Sequence, residues 1–195
     1  MKHLVILAAT LLALASTALP VAAADTSACS RYIQRAEAAN GIPAGLLLSI
    51  AFAESSYRGS PWPWTLNIGG AGRYLDSKNE AISLLTDAKG NLKSNVDVGC
   101  MQINTLYHGR QFDSAQSMLD PETNVRYGAR FLKELKDSHG SWIEAVGRYH
   151  ASKPEAQRSY ICRVLHHRIR LGFQARNLHV NQLCAGINRK LLVKG

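Results

Sequence analysis

The chain has 195 residues, 46% of them hydrophobic, and a formal net charge of +9. That is ample for one domain with its own core, and the composition excludes a disordered or collagen-like chain. No apolar run after residue 24 is long enough to span a bilayer.

Met1-Lys2-His3 is short and positive, Leu4 to Ala18 is almost unbroken apolar sequence, and Ala22-Ala23-Ala24 fits an A-x-A cleavage site. The pattern predicts an export signal over residues 1–24 and a mature, periplasmic chain beginning at Asp25. Thr26-Ser27-Ala28 ahead of Cys29 makes a poor lipidation box. Four cysteines, Cys29, Cys100, Cys162 and Cys184, suggest two disulfides in an exported protein. Three pairings are open to them and the sequence does not choose. The pairing taken here is Cys29–Cys100, tying the first helix to the centre of the domain, and Cys162–Cys184, closing a short basic tail.

The charge is uneven. Residues 25–155 carry 14 basic and 14 acidic side chains, whereas residues 156–195 carry eight Lys/Arg and no Asp or Glu. Such a block suits an anionic surface or an acidic partner, or else is a solvated face that aids solubility. The tail has no zinc-finger or basic-zipper pattern, and an exported chain is not expected to bind nucleic acid.

In chain order, Arg31 to Asn40 reads as a helix stopped by Asn40-Gly41. Pro43 starts a second, with Leu46, Leu47, Ile50 and Ala51 on one stripe, and the prolines around Gly59-Ser60-Pro61-Trp62-Pro63 require it to end there. Trp64 to Ile68 reads as a strand, Gly69-Gly70-Ala71-Gly72 as a turn, and Arg73-Tyr74-Leu75 as its return. Ser77-Lys78-Asn79-Glu80 is a capping box, and Asn95 to Val98 a further short strand. Asp120-Pro121 opens a helix whose apolar stripe is Tyr127, Phe131, Leu132 and Leu135, ended by His139-Gly140. Ser141-Trp142-Ile143-Glu144 is a second capping box, and Glu155 to Leu171 a last helix stopped at Gly172. The expectation is a mainly α domain over residues 25–172 with a small β-hairpin and loop insertion, followed by a basic extension, 173–195.

Glu54 falls three residues after Ala51 and four after Ile50, on the apolar stripe of the second helix. A carboxyl placed there loses hydration when ionised, which favours the protonated form that a general acid needs. Glu54-Ser55-Ser56 is followed, in order, by Val98-Gly99-Cys100-Met101-Gln102-Ile103-Asn104, by Asn124 to Leu135, and by Arg148-Tyr149-His150-Ala151-Ser152. These segments resemble the lysozyme-like lytic transglycosylases of the soluble-lytic-transglycosylase type, over about residues 29–152. They look similar to the small members associated with conjugation and pilus-type secretion systems.

The resemblance implies a lysozyme-like α+β domain that acts on the glycan strands of peptidoglycan, as a monomer and with neither cofactor nor metal. It implies Glu54 as catalytic acid and later base, and Ser55 beside it, orienting sugar or carboxyl. Met101 and Gln102 would line the cleft floor, with Tyr149 bonding near Glu54. Cys100 stands where the pattern carries Leu, and His150 and Ser152 where it carries Asn and Gly. From the residues themselves, Asn67 and Gln102 are candidates for sugar hydroxyls, and Trp62, Trp64, Tyr74 and Tyr107 for a sugar platform. A lysozyme-type hydrolase would need a second carboxylate, for which Asp76 and Asp97 are candidates. The remaining alternative is a non-catalytic peptidoglycan-binding assembly factor. The charge of the basic tail suggests docking to an anionic surface, a secretion-machine partner, or the carboxylates of peptidoglycan stems.

Overall fold

The computed structural model describes residues 28–188. The export signal, its cleavage site, and residues 189–195 of the basic tail lie outside the described residues. Among the described residues, nine α-helices and six short strands follow in the order α1 (Ala28–Asn40), α2 (Leu46–Ser55), β1 (Ser56–Tyr57), β2 (Ser60–Pro61), β3 (Thr65–Ile68), β4 (Ala71–Tyr74), α3 (Lys78–Leu85), β5 (Val96–Val98) and β6 (Ile103–Asn104), then α4 (Thr105–His108), α5 (Ala115–Met118), α6 (Pro121–His139), α7 (Trp142–His150), α8 (Pro154–Arg170) and α9 (Leu178–Leu183). The mainly helical domain with a small antiparallel insertion is the expected lysozyme-like architecture.

The second helix differs from expectation in two ways. It begins at Leu46, not Pro43, because Gly45 is in the left-handed conformation at its N-cap (φ 74). The first-turn donors are met by Glu37 of α1, a buried carboxylate that accepts from Gly45 N at 2.8 Å and Leu48 N at 3.0 Å. Such a cap from a neighbouring helix docks α1 onto α2 and favours the negative charge at a helix N-terminus. Nor is α2 amphipathic. Leu46 through Ala51, Ala53 and Ser55 are all buried, so this is an all-round core helix rather than one with a single inward stripe. It packs on α8, while α1 packs on α6, and α7 lies against both α6 and α8.

Past Ser55 the chain leaves the helix earlier than the prolines alone require. It forms the tight β1–β2 hairpin, Ser56 facing Pro61 and Tyr57 facing Ser60, with Arg58 and Gly59 both at positive φ. Then β3 and β4 pair antiparallel, Thr65 with Tyr74 and Ile68 with Ala71, around Gly69-Gly70 at φ 60 and 85. Two central residues at positive φ match the strand twist, which explains the glycine pair. The sheet order is β4-β3-β5-β6.

The caps read from the sequence act locally as expected. Ser77, Asp120 and Ser141 accept from Glu80 N, Thr123 N and Glu144 N, and Gly140 ends α6 at φ 87. The Glu80 carboxylate reaches back to Asp76 N, one residue earlier than a standard box. The apolar stripe of α6 is shifted from the expected one. Val125, Ala129 and Leu132 are buried together with Asn124 and Gly128, while Phe131 turns toward the cleft described below.

Both disulfides form in the pairing taken from the sequence, Cys29–Cys100 and Cys162–Cys184. A bonded Cys29 is not a lipid anchor, and a bonded Cys100 is not a thiol nucleophile. The first bridge spans 71 residues. Its removal as Cys29→Ser/Cys100→Ser should lower the unfolding free energy by about 4 kcal/mol, from the loop entropy released in the unfolded chain, as measured by urea denaturation. A loss below about 1 kcal/mol would show that the α1–Cys100 junction is held by packing alone. The second bridge ties the segment after Gly172 back onto α8. Arg158 reinforces it by donating to Leu183 O at 2.9 Å and Ala185 O at 2.6 Å. Among the described residues no helix is long and apolar enough to cross a membrane.

Candidate active site

The last turn of α2 brings Glu54 out of the core into a cleft of about 760 Å³. Ile50 and Ala51 one turn earlier are fully buried, and the Glu54 side chain retains only 14% of its exposure. The sheet makes one wall and the C-terminal end of α7 the other, with α4 and Phe131 of α6 at the end.

Strand alternation sorts the sheet residues. Leu66, Val96, Val98 and Ile103 point into the core. Their neighbours Asn67, Asp97 and Asn104 form a row across β3, β5 and β6, in register with one another, and all three line the cleft. Asn104 donates to Asp97 Oδ1 at 2.7 Å. Asn67 Oδ1 is buried and has no hydrogen-bond partner among the described residues. Burial raises the pKa of Asp97, and the Glu54 carboxylate adds to the rise, while the Asn104 bond and His150 oppose it. Asp76, the other candidate for a second carboxylate, is exposed ahead of α3 and does not line the cleft.

The segment Gly99–Gln102 is a tight turn built into this wall. Gly99 has φ 80 and Gln102 φ 48, with Gln102 N bonded to Gly99 O. Gln102 is held in that left-handed conformation by its own amide, which donates to Thr65 O at 3.1 Å and Gly99 O at 3.0 Å. Asn124 of α6 clasps the turn from behind. It accepts from Met101 N at 2.9 Å and donates to Val98 O at 2.9 Å and Met118 O at 3.0 Å. A Cβ on Gly99 would lie 2.7 Å from that amide, so glycine is required by conformation and by space together.

Two expected substrate contacts face the other way. Ser55 is fully buried, with its hydroxyl 2.7 Å from Cys100 O, and fastens α2 to the disulfide-bearing turn. Met101 is likewise fully buried, beneath the cleft rather than on its floor. Of the pair, only Gln102 lines the cleft. Tyr149 lines it too, but its hydroxyl donates to Met101 O at 3.0 Å and so braces the same turn. Gly128 makes room for this contact, since a Cβ there would sit 2.8 Å from Met101 and 3.1 Å from the Tyr149 hydroxyl. Among the aromatic candidates, Trp62 is a core residue whose indole donates to Leu75 O at 2.8 Å. Tyr74 stacks on Tyr57. Tyr107, 77% exposed at the cleft, is the ring placed to carry a sugar face.

Tyr160 is a site residue that the sequence did not reveal, because it comes from α8, beyond the resembling segments. It is almost fully buried, with its hydroxyl placed toward the Glu54 carboxyl. Burial first, and then the nearby Glu54 charge, push its pKa well above 10; the same two causes act in that order on Tyr149. Both phenols therefore stay neutral. His150, also in the cleft, places Nδ1 3.6 Å from Glu54 Oε1. No group of three or more His, Cys, Asp or Glu that could hold a metal occurs among the described residues.

A buried helix that ends in a carboxyl, facing a small polar sheet across a cleft, is a lysozyme-like arrangement. The family described as transglycosylase SLT domain matches residues 31–160, and the chain belongs to that family. SLT-domain proteins are lytic transglycosylases whose substrate class is peptidoglycan. No curated protein and no solved structure matches the chain.

Proposed function

We propose that this protein is a periplasmic enzyme that cleaves the β-1,4 bond between N-acetylmuramic acid and N-acetylglucosamine in peptidoglycan, leaving a 1,6-anhydro end. The observation that carries this reading is Glu54, a mostly buried carboxyl at the mouth of the cleft with two protonated tyrosines beside it. Glu54 gives its proton to the glycosidic oxygen as the C1–O bond breaks. The resulting carboxylate then takes the proton of the muramic acid C6 hydroxyl, whose oxygen bonds to C1. No water is consumed and Glu54 is restored. Asn67, Gln102 and Tyr107 hold the sugars, while Ser55, Met101 and Tyr149 hold the wall they rest on. Local opening of the cell wall during assembly of an envelope-spanning machine is the role that suits this reaction.

Asp97 supports a second reading. It shares the cleft with Glu54 and the two interact electrostatically, so a hydrolase using both carboxyls fits the same space. The products distinguish them. Mass spectrometry of fragments released from purified sacculi should show anhydromuramic ends, one water lighter than hydrolysis products. Asp97→Asn should retain that product at about a tenth or more of wild-type rate. Reducing ends, together with a loss on the order of 10³-fold in Asp97→Asn, would establish the hydrolase.

We also assign the C-terminal segment to docking on an anionic surface or partner, with a narrower set of cations than its composition suggests. Arg158 and Arg168 donate to backbone carbonyls and Arg163 lies over the Tyr160 ring. Arg158, Arg170 and Arg176 are the exposed arginines of the described segment.

A further inference from the structure

Three rings line the α4 end of the cleft: Tyr107 and His108 of α4, and Phe131 of α6. The rings of His108 and Phe131 lie 4.7 Å apart between centroids, and Tyr107 beside them is 77% exposed. His108 is anchored from behind. Its Nδ1 is 2.7 Å from the hydroxyl of Tyr127, a residue of α6 that does not line the cleft.

A contact of that length holds one proton, and its owner decides what the imidazole shows to the cleft. Tyr127 keeps its proton, because burial raises its pKa. Burial also lowers the pKa of His108, with Glu134 opposing, so the imidazole is neutral and carries a single N–H. Arg130 decides which nitrogen carries it. A guanidinium can only donate. This one lies over the Tyr127 ring, Cζ 5.0 Å from the centroid, and acts on the phenol oxygen as a side-chain donor. The oxygen is an acceptor toward Arg130, and its own proton goes to His108 Nδ1. The imidazole proton is then on Nε2, across the ring from Tyr127.

We propose that His108 is a substrate-binding residue, whose Nε2–H donates to the carbonyl oxygen of an N-acetyl group on the sugar carried by Tyr107, with the acetyl methyl against Phe131. The proposal rests on the reading of the cleft as a site for peptidoglycan glycan. An acetamido group joins an apolar methyl to a strong carbonyl acceptor. A phenyl ring next to a fixed N–H donor is its complement. A sugar hydroxyl brings no methyl and would set a polar edge against Phe131. Tyr127 is a positioning residue that holds the imidazole in one tautomer without touching the sugar.

The ring nitrogens report the tautomer directly. At about pH 7.5, above the usual histidine range, nitrogen-15 NMR of the wild type should show His108 with a bare Nδ1 and a protonated Nε2. In Tyr127→Phe, which leaves the cleft wall untouched, the two signals should move toward each other as both tautomers become populated. A protonated Nδ1 in the wild type, or spectra that do not differ, would overturn the assignment. Binding is read with a β-1,4-linked N-acetylglucosamine oligomer on Glu54→Gln, which does not consume it. An acetyl methyl of the bound oligomer should show nuclear Overhauser contacts to the Phe131 ring. Adding His108→Phe should weaken binding by about three- to tenfold, the worth of one neutral hydrogen bond. Unchanged affinity, missing methyl contacts or no binding of the oligomer would each overturn the subsite. Fragment release from sacculi by the wild type is a separate readout. If it persists when the subsite fails, the reading of Glu54 stands alone. If it is absent while the oligomer binds through His108, the subsite stands and the chemistry falls.

Discussion

Glu54→Gln should reduce the release of fragments from sacculi by about 10²–10⁴-fold, the usual contribution of a positioned general acid, with an unchanged circular-dichroism spectrum. Glutamine matches the volume and shape of glutamate and so preserves the packing of the last turn of α2. It has no proton to give to the glycosidic oxygen and forms no carboxylate to take one from C6. The loss should fall on kcat, with KM little changed, because the proton transfer belongs to the transition state rather than to binding. Asn67, Gln102 and Tyr107, the proposed sugar contacts, lie elsewhere in the cleft. Residual turnover near wild type would remove Glu54 from the chemistry and leave the cleft as a binding site only.

Asn124→Ala should be the most damaging substitution outside the cleft. Asn124 is 1% exposed and makes three hydrogen bonds, to Met101 N, Val98 O and Met118 O. Truncation leaves three buried backbone groups without partners, each worth about 1–3 kcal/mol, and a total loss of about 3–5 kcal/mol is expected after partial relaxation. The turn from Gly99 to Gln102 would lose its clasp, so activity should fall even under conditions where the variant stays folded. Asn124→Asp makes the argument sharper. It keeps an acceptor for Met101 N but turns an oxygen toward two carbonyls, and should be at least as destabilising as alanine. Urea denaturation checks both. A loss under about 1 kcal/mol in either variant would show that the turn is held by Gln102 and Tyr149 instead.

The site was legible where its residues belong to a local pattern. Glu54 was found because its spacing from Ile50 and Ala51 puts it on a buried helix turn. Asn67 and Gln102 were singled out as side chains suited to sugar hydroxyls and Asp97 as a candidate second carboxylate, and all three line the cleft. Ser55 and Met101 were misplaced because adjacency in sequence to a catalytic residue says nothing about the direction of a side chain on a helix buried on every side. Asn124 was visible as the start of a motif, but its function as a clasp depends on three carbonyl and amide groups up to 26 residues away. Tyr160 had no signal at all, since a tyrosine on a helix reads as ordinary core.

By itself the sequence determined the longer helices and those ends that are set by local caps. Ser77, Asp120, Ser141 and Gly140 act on hydrogen bonds within one turn, and Gly69-Gly70 supplies two positive φ angles, so these choices need no partner from elsewhere in the chain. Only the tertiary structure decided which face meets which. Glu37 caps a helix other than its own. The Cys29–Cys100 bridge and the Ser55–Cys100 bond seat α2 beneath the turn, and α8 crosses behind to deliver Tyr160 beside Glu54. Those are contacts between residues far apart in the chain, fixed by the fit of one buried surface on another, and hydrophobic periodicity records that a face is buried without recording what lies against it.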